Sequence, residues 1–215
     1  MIDKIKLAKS AHALNDAVAQ QNRFMFKDAG LTVVNMISSP GSGKTSLLEA
    51  LGKRMGKKVM VITGDIQTEL DKNRIEKAGA HAIQIETRGS CHLTAHMINT
   101  VGRRLSFSGV EYLIIENVGN LVCPSSYDLG EDTKLAVLST TEGDEKPIKY
   151  PGLFVRAACV VINKIDLLPY VRFDMERAMT DIKKLRYDAQ IIKTSCTSGE
   201  GLEDFFSYLL NLRRK

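Results

Sequence analysis

Three groups of residues in this chain have types and spacings that could do chemistry. The first is "SSPGSGKTSLLEA", residues 38–50. Gly41 and Gly43 let the backbone curl so that successive amides point inward, and a helix beginning there would aim its positive end at the same point. Such a nest suits a highly charged anion. Lys44 can reach β- and γ-phosphates and the Thr45 hydroxyl can ligate magnesium, as the Walker A pattern requires. The nest runs from Gly41, Ser42 and Gly43 through Lys44 and Thr45 to Ser46. The pattern begins with glycine, where this chain has Ser38. A nucleoside triphosphate is the natural occupant.

The second group is "CVVINKIDLLP". The Asp166 carboxylate can accept hydrogen bonds from N1–H and the exocyclic amine of guanine, whereas adenine has an acceptor at N1. The Lys164 stem can cover the ring, and Asn163 completes N-K-x-D. The later "TSCTSGEG" offers the Ser195 and Cys196 amides to guanine O6. GTP is therefore expected over ATP. Magnesium and the attacking water need carboxylates near the γ-phosphate, and two strands end in one, "MVITGD" at Asp65 and "YLIIE" at Glu116. Lys44, Asp65 and Glu116 are the catalytic candidates, with Thr45, Asp65 and Glu116 around magnesium.

The third group is "GSCHLTAHM" with the later "VCPSSY". Cys91 and His92 are expected to open a helix, with His96 one turn on and on the same face as His92. Cys123 follows the Glu116 strand. Thiolate and imidazole suit nickel or zinc rather than magnesium or calcium. Single cysteines are also common as small core hydrophobes, and a Cys-His pair is weaker evidence than two C-x-x-C units. Spacing alone leaves both readings open. Cys159, in an apolar strand, and Cys196 read as structural.

These groups need a scaffold. "LTVVNMI" is β-branched and almost continuously apolar, the pattern of a strand buried on both faces. "KKVMVIT", "HAIQI", "EYLIIE", "KLAVLST", "CVVIN" and "QIIKT" repeat it, with helical stretches between, including one from about Cys91 to Leu105. That alternation predicts one α/β doubly wound, mostly parallel sheet with ligands at the carboxyl edge. Residues 1–30 are assigned to an N-terminal amphipathic helix, its apolar face formed by Ile5, Ala8, Ala11, Leu14 and Val18. Residues 31–215 form the P-loop domain.

With 44% hydrophobic and 26% charged residues in 215, the chain can bury a core without disulfides or structural metal. The net charge of +5 is scattered, and its basic clusters carry few aromatics on which bases could stack, so no nucleic-acid partner is expected. No apolar run reaches the ~18 residues of a membrane span and no secretory leader is seen, so the expectation is a cytoplasmic protein with no membrane partner. The four cysteines are then thiols or ligands rather than disulfides.

With "SSPGSGKT", "GDIQTELD", "CHL", "ENVGNLVCPSSYDLGED", "EGDEKPIKYP" and "NKIDLL" in this order, the sequence resembles the HypB family of hydrogenase nickel-incorporation GTPases from about Leu31 to the C-terminus. The long "ENVGNLVCPSSYDLGE" block separates it from the related urease accessory GTPase UreG. The resemblance implies a SIMIBI-type P-loop GTPase that dimerises on GTP. It further implies nickel or zinc carried at the subunit interface through Cys91, His92 and Cys123, with His96 as a possible extra ligand. The implied role is a slow GTPase metallochaperone in [NiFe]-hydrogenase maturation, with GTP, Mg2+ and Ni2+ or Zn2+ bound. The implied partners are a HypA-type nickel accessory protein and the hydrogenase large-subunit precursor. Alternatives are a nucleotide-dependent zinc scaffold that hardly turns GTP over, or a chaperone for another metalloenzyme such as urease. Many family members carry an N-terminal cysteine motif or histidine-rich stretch; here the first ~30 residues hold no cysteine and only His12. Lys146, in "EGDEKP", is a candidate to reach nucleotide across the dimer.

Overall fold

The computed structural model describes residues 2–65, 70–87 and 89–213; the side chains of residues 2–11 and 65 lie outside the description. Seven strands form one sheet: β1 Thr32–Ser38, β2 Val59–Asp65, β3 His81–Glu86, β4 Tyr112–Glu116, β5 Thr133–Ser139, β6 Cys159–Asn163 and β7 Gln190–Thr194. Their order is β3-β2-β4-β1-β5-β6-β7, and every pairing is parallel. Every residue of β1, β4 and β6 is buried, as apolar runs between two helix layers require.

Alternation along each strand divides the core. Val34 and Met36 of β1 pack in a cluster with Leu47, Leu48 and Leu51 of α2 (Lys44–Met55), Ile75 of α3 (Leu70–Lys77) and Phe205. Val33 points to the other face, toward Phe26 of α1 (Ile2–Asp28) and Ile98 of α4 (Ala95–Gly102). Ile37 meets Leu153, Phe154 and Ile182 on that second face, beside a one-turn helix α5 at Cys123–Ser126. Lys146–Lys149 forms α6 and Pro151–Phe154 forms α7. Helices α8 (Met175–Leu185) and α9 (Leu202–Arg213) complete the two layers. The doubly wound α/β reading holds.

Two sequence expectations change. Helix α1 is present, but its inner face is Asn15, Ala19, Asn22 and Phe26, while Leu14 is 71% exposed. Ile5, Ala8 and Ala11 fall among the side chains outside the description. The apolar pattern missed the seat because two of its positions are asparagines, which bond backbone groups of the domain instead of adding apolar area. Helix α4 also starts later than expected. The Thr94 side chain accepts from the Met97 amide and ends the preceding loop, so Cys91 and His92 stand before the helix rather than opening it.

Candidate nucleotide and metal sites

The phosphate loop leaves β1 at the centre of the sheet, where β4 and β5 flank it and connections diverge to both sides. Ser38 takes the place of the missing glycine. Buried at the strand end, its hydroxyl accepts from Lys44 Nζ at 2.6 Å and from Ser42 Oγ at 2.6 Å, and donates to the Ser39 carbonyl. Gly43 has φ +96 where α2 begins, a conformation that favours glycine. A Cβ there would lie 2.3 Å from Asn163 Nδ2, so the loop is seated directly on the N-K-x-D segment.

That segment follows β6. Asn163 Nδ2 donates to the Ser42 carbonyl at 2.9 Å, and its Oδ1 accepts from Thr194 Oγ1 at 3.0 Å. Lys164, at φ +64, donates to the Gly41 carbonyl at 2.7 Å. Asp166 lies in the 3-10 turn Ile165–Tyr170. The Cys196 thiol is pushed up to about 11 by burial and by the carboxylates of Glu49 and Asp166. Asp166 and Cys196 therefore lie near one another. The Ser195 amide is already bonded to the Glu200 carbonyl at 2.9 Å. The Gly199–Gly201 turn folds back on it there, with the Gly199 amide donating to the Ser195 carbonyl at 2.9 Å.

Beside the loop opens a cleft of about 600 Å³, lined by Gly41–Ser46, Glu116 and Lys164. Thr45 Oγ1 lies 3.4 Å from Glu116 Oε1, an all-oxygen pair that suits a hard cation. Asp65 ends β2, but its side chain is outside the description. The sequence reading missed Asp71 and Arg74 of α3, which also line the cleft. Arg74 is clamped by Glu49 at 3.1 and 2.7 Å and touches Ser46 Oγ at 3.4 Å. The hydrogen bond that Arg74 donates to Glu49 raises its pKa further. Lys146 donates to Ser39 Oγ at 3.2 Å, so it reaches the phosphate loop of its own chain.

The metal candidates converge. Ligand atoms of Cys91, His92 and Cys123 all lie within 4.8 Å of one another, and Cys91 Sγ is 3.4 Å from His92 Nδ1. His96 is exposed and outside this cluster, because its spacing from His92 is not helical once the helix begins at Ala95. The Cys91 thiol is held above its usual range by its hydrogen bond with Cys123, then by burial. His92 is held below its usual range by burial, then by the charge of His12. His92 Nε2 is buried with no hydrogen-bond partner among the described residues. An imidazole beside two thiols is a donor set that fits a soft or borderline metal, and because Cys91 is exposed a bound metal would keep an open position. Cys159 is fully buried, and burial drives its pKa far up, as a structural thiol requires.

A family model described as the CobW/HypB/UreG nucleotide-binding domain matches residues 32–193. Hydrogenase maturation factor HypB of Escherichia coli K12 is 46% identical over 197 residues, covering 91% of this chain and 68% of that protein. Hydrogenase/urease maturation factor HypB of Helicobacter pylori J99 is 41% identical over 215 residues, covering 98% and 89%. The chain belongs to the HypB family. A crystal structure of HypB from Helicobacter pylori in complex with nickel superposes with a TM-score of 0.89 at 42% identity, covering 93% of this chain and 95% of that one. HypB from Archaeoglobus fulgidus gives 0.87 at 37%, covering 94% and 99%. The signal recognition particle receptor FtsY of Elizabethkingia anophelis, at 13% identity and a TM-score of 0.56, shares the SIMIBI-type fold alone, covering 94% of this chain and 73% of that one.

In this HypB-family chain the two sites are joined by one buried side chain. Asn117 directly follows Glu116. Its Oδ1 accepts from the amides of Leu93 at 3.1 Å and Val118 at 3.0 Å, and its Nδ2 donates to Asn35. Asn120, three residues on, donates to the Cys91 carbonyl at 3.4 Å. Sequence reasoning missed both. The clustering of asparagines in "ENVGN" was the available signal.

Proposed function

We propose that this protein is a GTP-binding, slowly GTP-hydrolysing metallochaperone that carries nickel during [NiFe]-hydrogenase maturation, and that GTP-dependent dimerisation controls its Cys/His site. One observation carries the reading: Glu116 contacts Thr45 in the nucleotide cleft, while Asn117 beside it holds the Leu93 amide next to His92. A shift of the strand end with the γ-phosphate therefore moves Cys91 and His92 on one side and the Cys123 loop on the other. The nickel named in the Helicobacter pylori structure supports nickel as the cargo.

Residue roles follow from position. Lys44 and the amides of Gly41, Ser42, Gly43, Thr45 and Ser46 hold the phosphates. Thr45 and Glu116, with Asp65, hold magnesium, which supplies charge neutralisation at the β- and γ-phosphates when bound. Asn163 braces the loop, Asp166 reads guanine and Cys196 closes the base corner. Cys91, His92 and Cys123 hold the cargo. Three donors leave at least one position for a partner subunit or an acceptor protein. The acceptors in this reading are a HypA-type protein and the hydrogenase precursor. No helix among the described residues is long and apolar enough to cross a membrane.

The test is a nickel titration in GDP and in a non-hydrolysable GTP analogue, recording oligomer mass and metal per chain. Tighter nickel in an analogue-induced dimer, lost in Cys123→Ala, is the expected result. Equal affinity in both states, with a non-exchanging tetrahedral zinc, would replace this reading by a zinc scaffold. Lys146, which meets Ser39 of its own phosphate loop, is a candidate to contact nucleotide, and a full GTPase rate in Lys146→Ala would remove it from that role.

A further inference from the structure

The two halves of the metal site come from chain segments about thirty residues apart, the Cys91–His92 loop leading into α4 and the Cys123 turn leading to Asp128 and Leu129. Helix α1 touches both. Asn15 Oδ1 accepts from the Ala95 amide at 2.9 Å, while its Nδ2 donates to the Asp128 carbonyl at 2.8 Å. Asn22, fully buried, repeats the bridge about two turns on along the same face: its Nδ2 donates to the carbonyls of Ala95 and Leu129, each at 2.9 Å, and its Oδ1 accepts from Asn99. Arg23 grips both carboxylate oxygens of Asp128 at 3.0 Å. The seat is built for close approach. A Cβ at Gly130 would lie 2.6 Å from Asn22 Cβ and 2.8 Å from the Ala19 carbonyl, and one at Gly102 would lie 2.5 Å from Met25 Cε. Ring contacts add a third tie, with Tyr127 4.7 Å from His12 of α1 and 4.0 Å from His92 by centroids.

From this geometry we infer that α1 is the buckle of the metal site: Asn15 and Asn22 fasten the α4 segment to the Asp128–Leu129 segment and so hold Cys91 and His92 at ligating distance from Cys123. Each asparagine amide offers a donor and an acceptor on one short side chain, so it can donate to a carbonyl on one segment and accept from a group on the other. The positioning role explains why a helix face that should be apolar is polar. The helix thus acts on the metal without carrying a cysteine. This inference rests on the metal reading above, and it extends it to a helix whose Asn15 and Asn22 bond backbone flanking the metal donors rather than the donors themselves.

The test compares Asn15→Leu, Asn15→Asp and Gly130→Ala in the full chain. Asn22 is left intact because its loss would strand two buried carbonyls. Nickel affinity is measured by competition with a chromophoric chelator, together with the thiolate-to-nickel charge-transfer spectrum of the loaded protein and the affinity for a GTP analogue. Outer-sphere partners of metal ligands change affinity by about 10–100-fold, so a loss of roughly 10-fold is expected in each variant, with an altered spectrum and unchanged nucleotide affinity. Asn15→Asp separates bridging from capping. Its carboxylate still accepts from the Ala95 amide, so a mere cap on α4 survives, whereas a bridge fails because nothing donates to the Asp128 carbonyl. If Cys123→Ala binds nickel as the parent does, the metal reading fails and this inference with it. If Cys123→Ala loses nickel while Asn15→Leu and Asn15→Asp keep the parent affinity and spectrum, α1 has no positioning role and only this inference is overturned.

Discussion

Replacing Gly43 by alanine attacks the junction between the phosphate loop and the guanine-reading segment with a single methyl group. Two costs arise. A φ of +96 is unfavourable to an L-residue by about 1–2 kcal/mol. The new Cβ would stand 2.3 Å from Asn163 Nδ2, and relieving an overlap of that kind costs about 1–3 kcal/mol in a packed site. Moving the amide away also endangers its bond to the Ser42 carbonyl. The sum is about 2–5 kcal/mol, and at its lower end nucleotide affinity should fall by roughly 30-fold. Gly41 is the control, because it has φ +76 but no heavy atom within 4 Å of its Cβ position, so Gly41→Ala bears the backbone cost alone. The assay is titration of a fluorescent GDP derivative. Asn163→Ala should partly rescue Gly43→Ala, giving a coupling of about 1–3 kcal/mol in the double-mutant cycle. Additivity within about 0.5 kcal/mol would refute the claim that the glycine exists to admit Asn163.

Asp166→Asn should lower GTP affinity by at least about 100-fold and improve binding of xanthosine triphosphate, whose C2 carbonyl accepts where guanine donates; equal GTP affinity in a competition assay would remove Asp166 from the base site. Alkylation at pH 8 should label exposed Cys91 first, with Cys159 silent. Cys196, at about 11 against an ordinary 9.0, holds roughly 100-fold less thiolate and should react correspondingly slowly, which peptide mapping would show. The Asp128 carboxyl is pushed up by burial but held lower overall by the Gly130 amide and by Arg23. Because its folded pKa is depressed, its contribution is complete above the ordinary value near 3.8 and is lost as pH falls through the lower folded one. The parent should therefore lose stability more steeply than Asp128→Asn when acidified below about pH 4; identical acid melting curves would contradict this.

The residues that converge at the nucleotide cleft and in the thiol–imidazole cluster could be read from the chain because each proposed chemistry requires particular side chains in local order. A nest needs closely spaced glycines, a guanine reader needs a carboxylate after a buried strand, and a soft metal needs thiols and imidazole. The parallel sheet was legible for the same reason, since strands buried on both faces must be apolar throughout. Tertiary structure alone decided the rest. It brought Cys123 to Cys91 across the sheet edge, left His96 out of that cluster, bonded the Ser195 amide to the Glu200 carbonyl and placed Lys146 on its own phosphate loop. It also placed Asn117 and Asn120 between the nucleotide cleft and the Cys91 loop, and Asn15 and Asn22 between α4 and the Asp128–Leu129 segment. An asparagine that bridges two backbone segments has no sequence period and no fixed spacing to its partners, so its role exists only once those segments are adjacent.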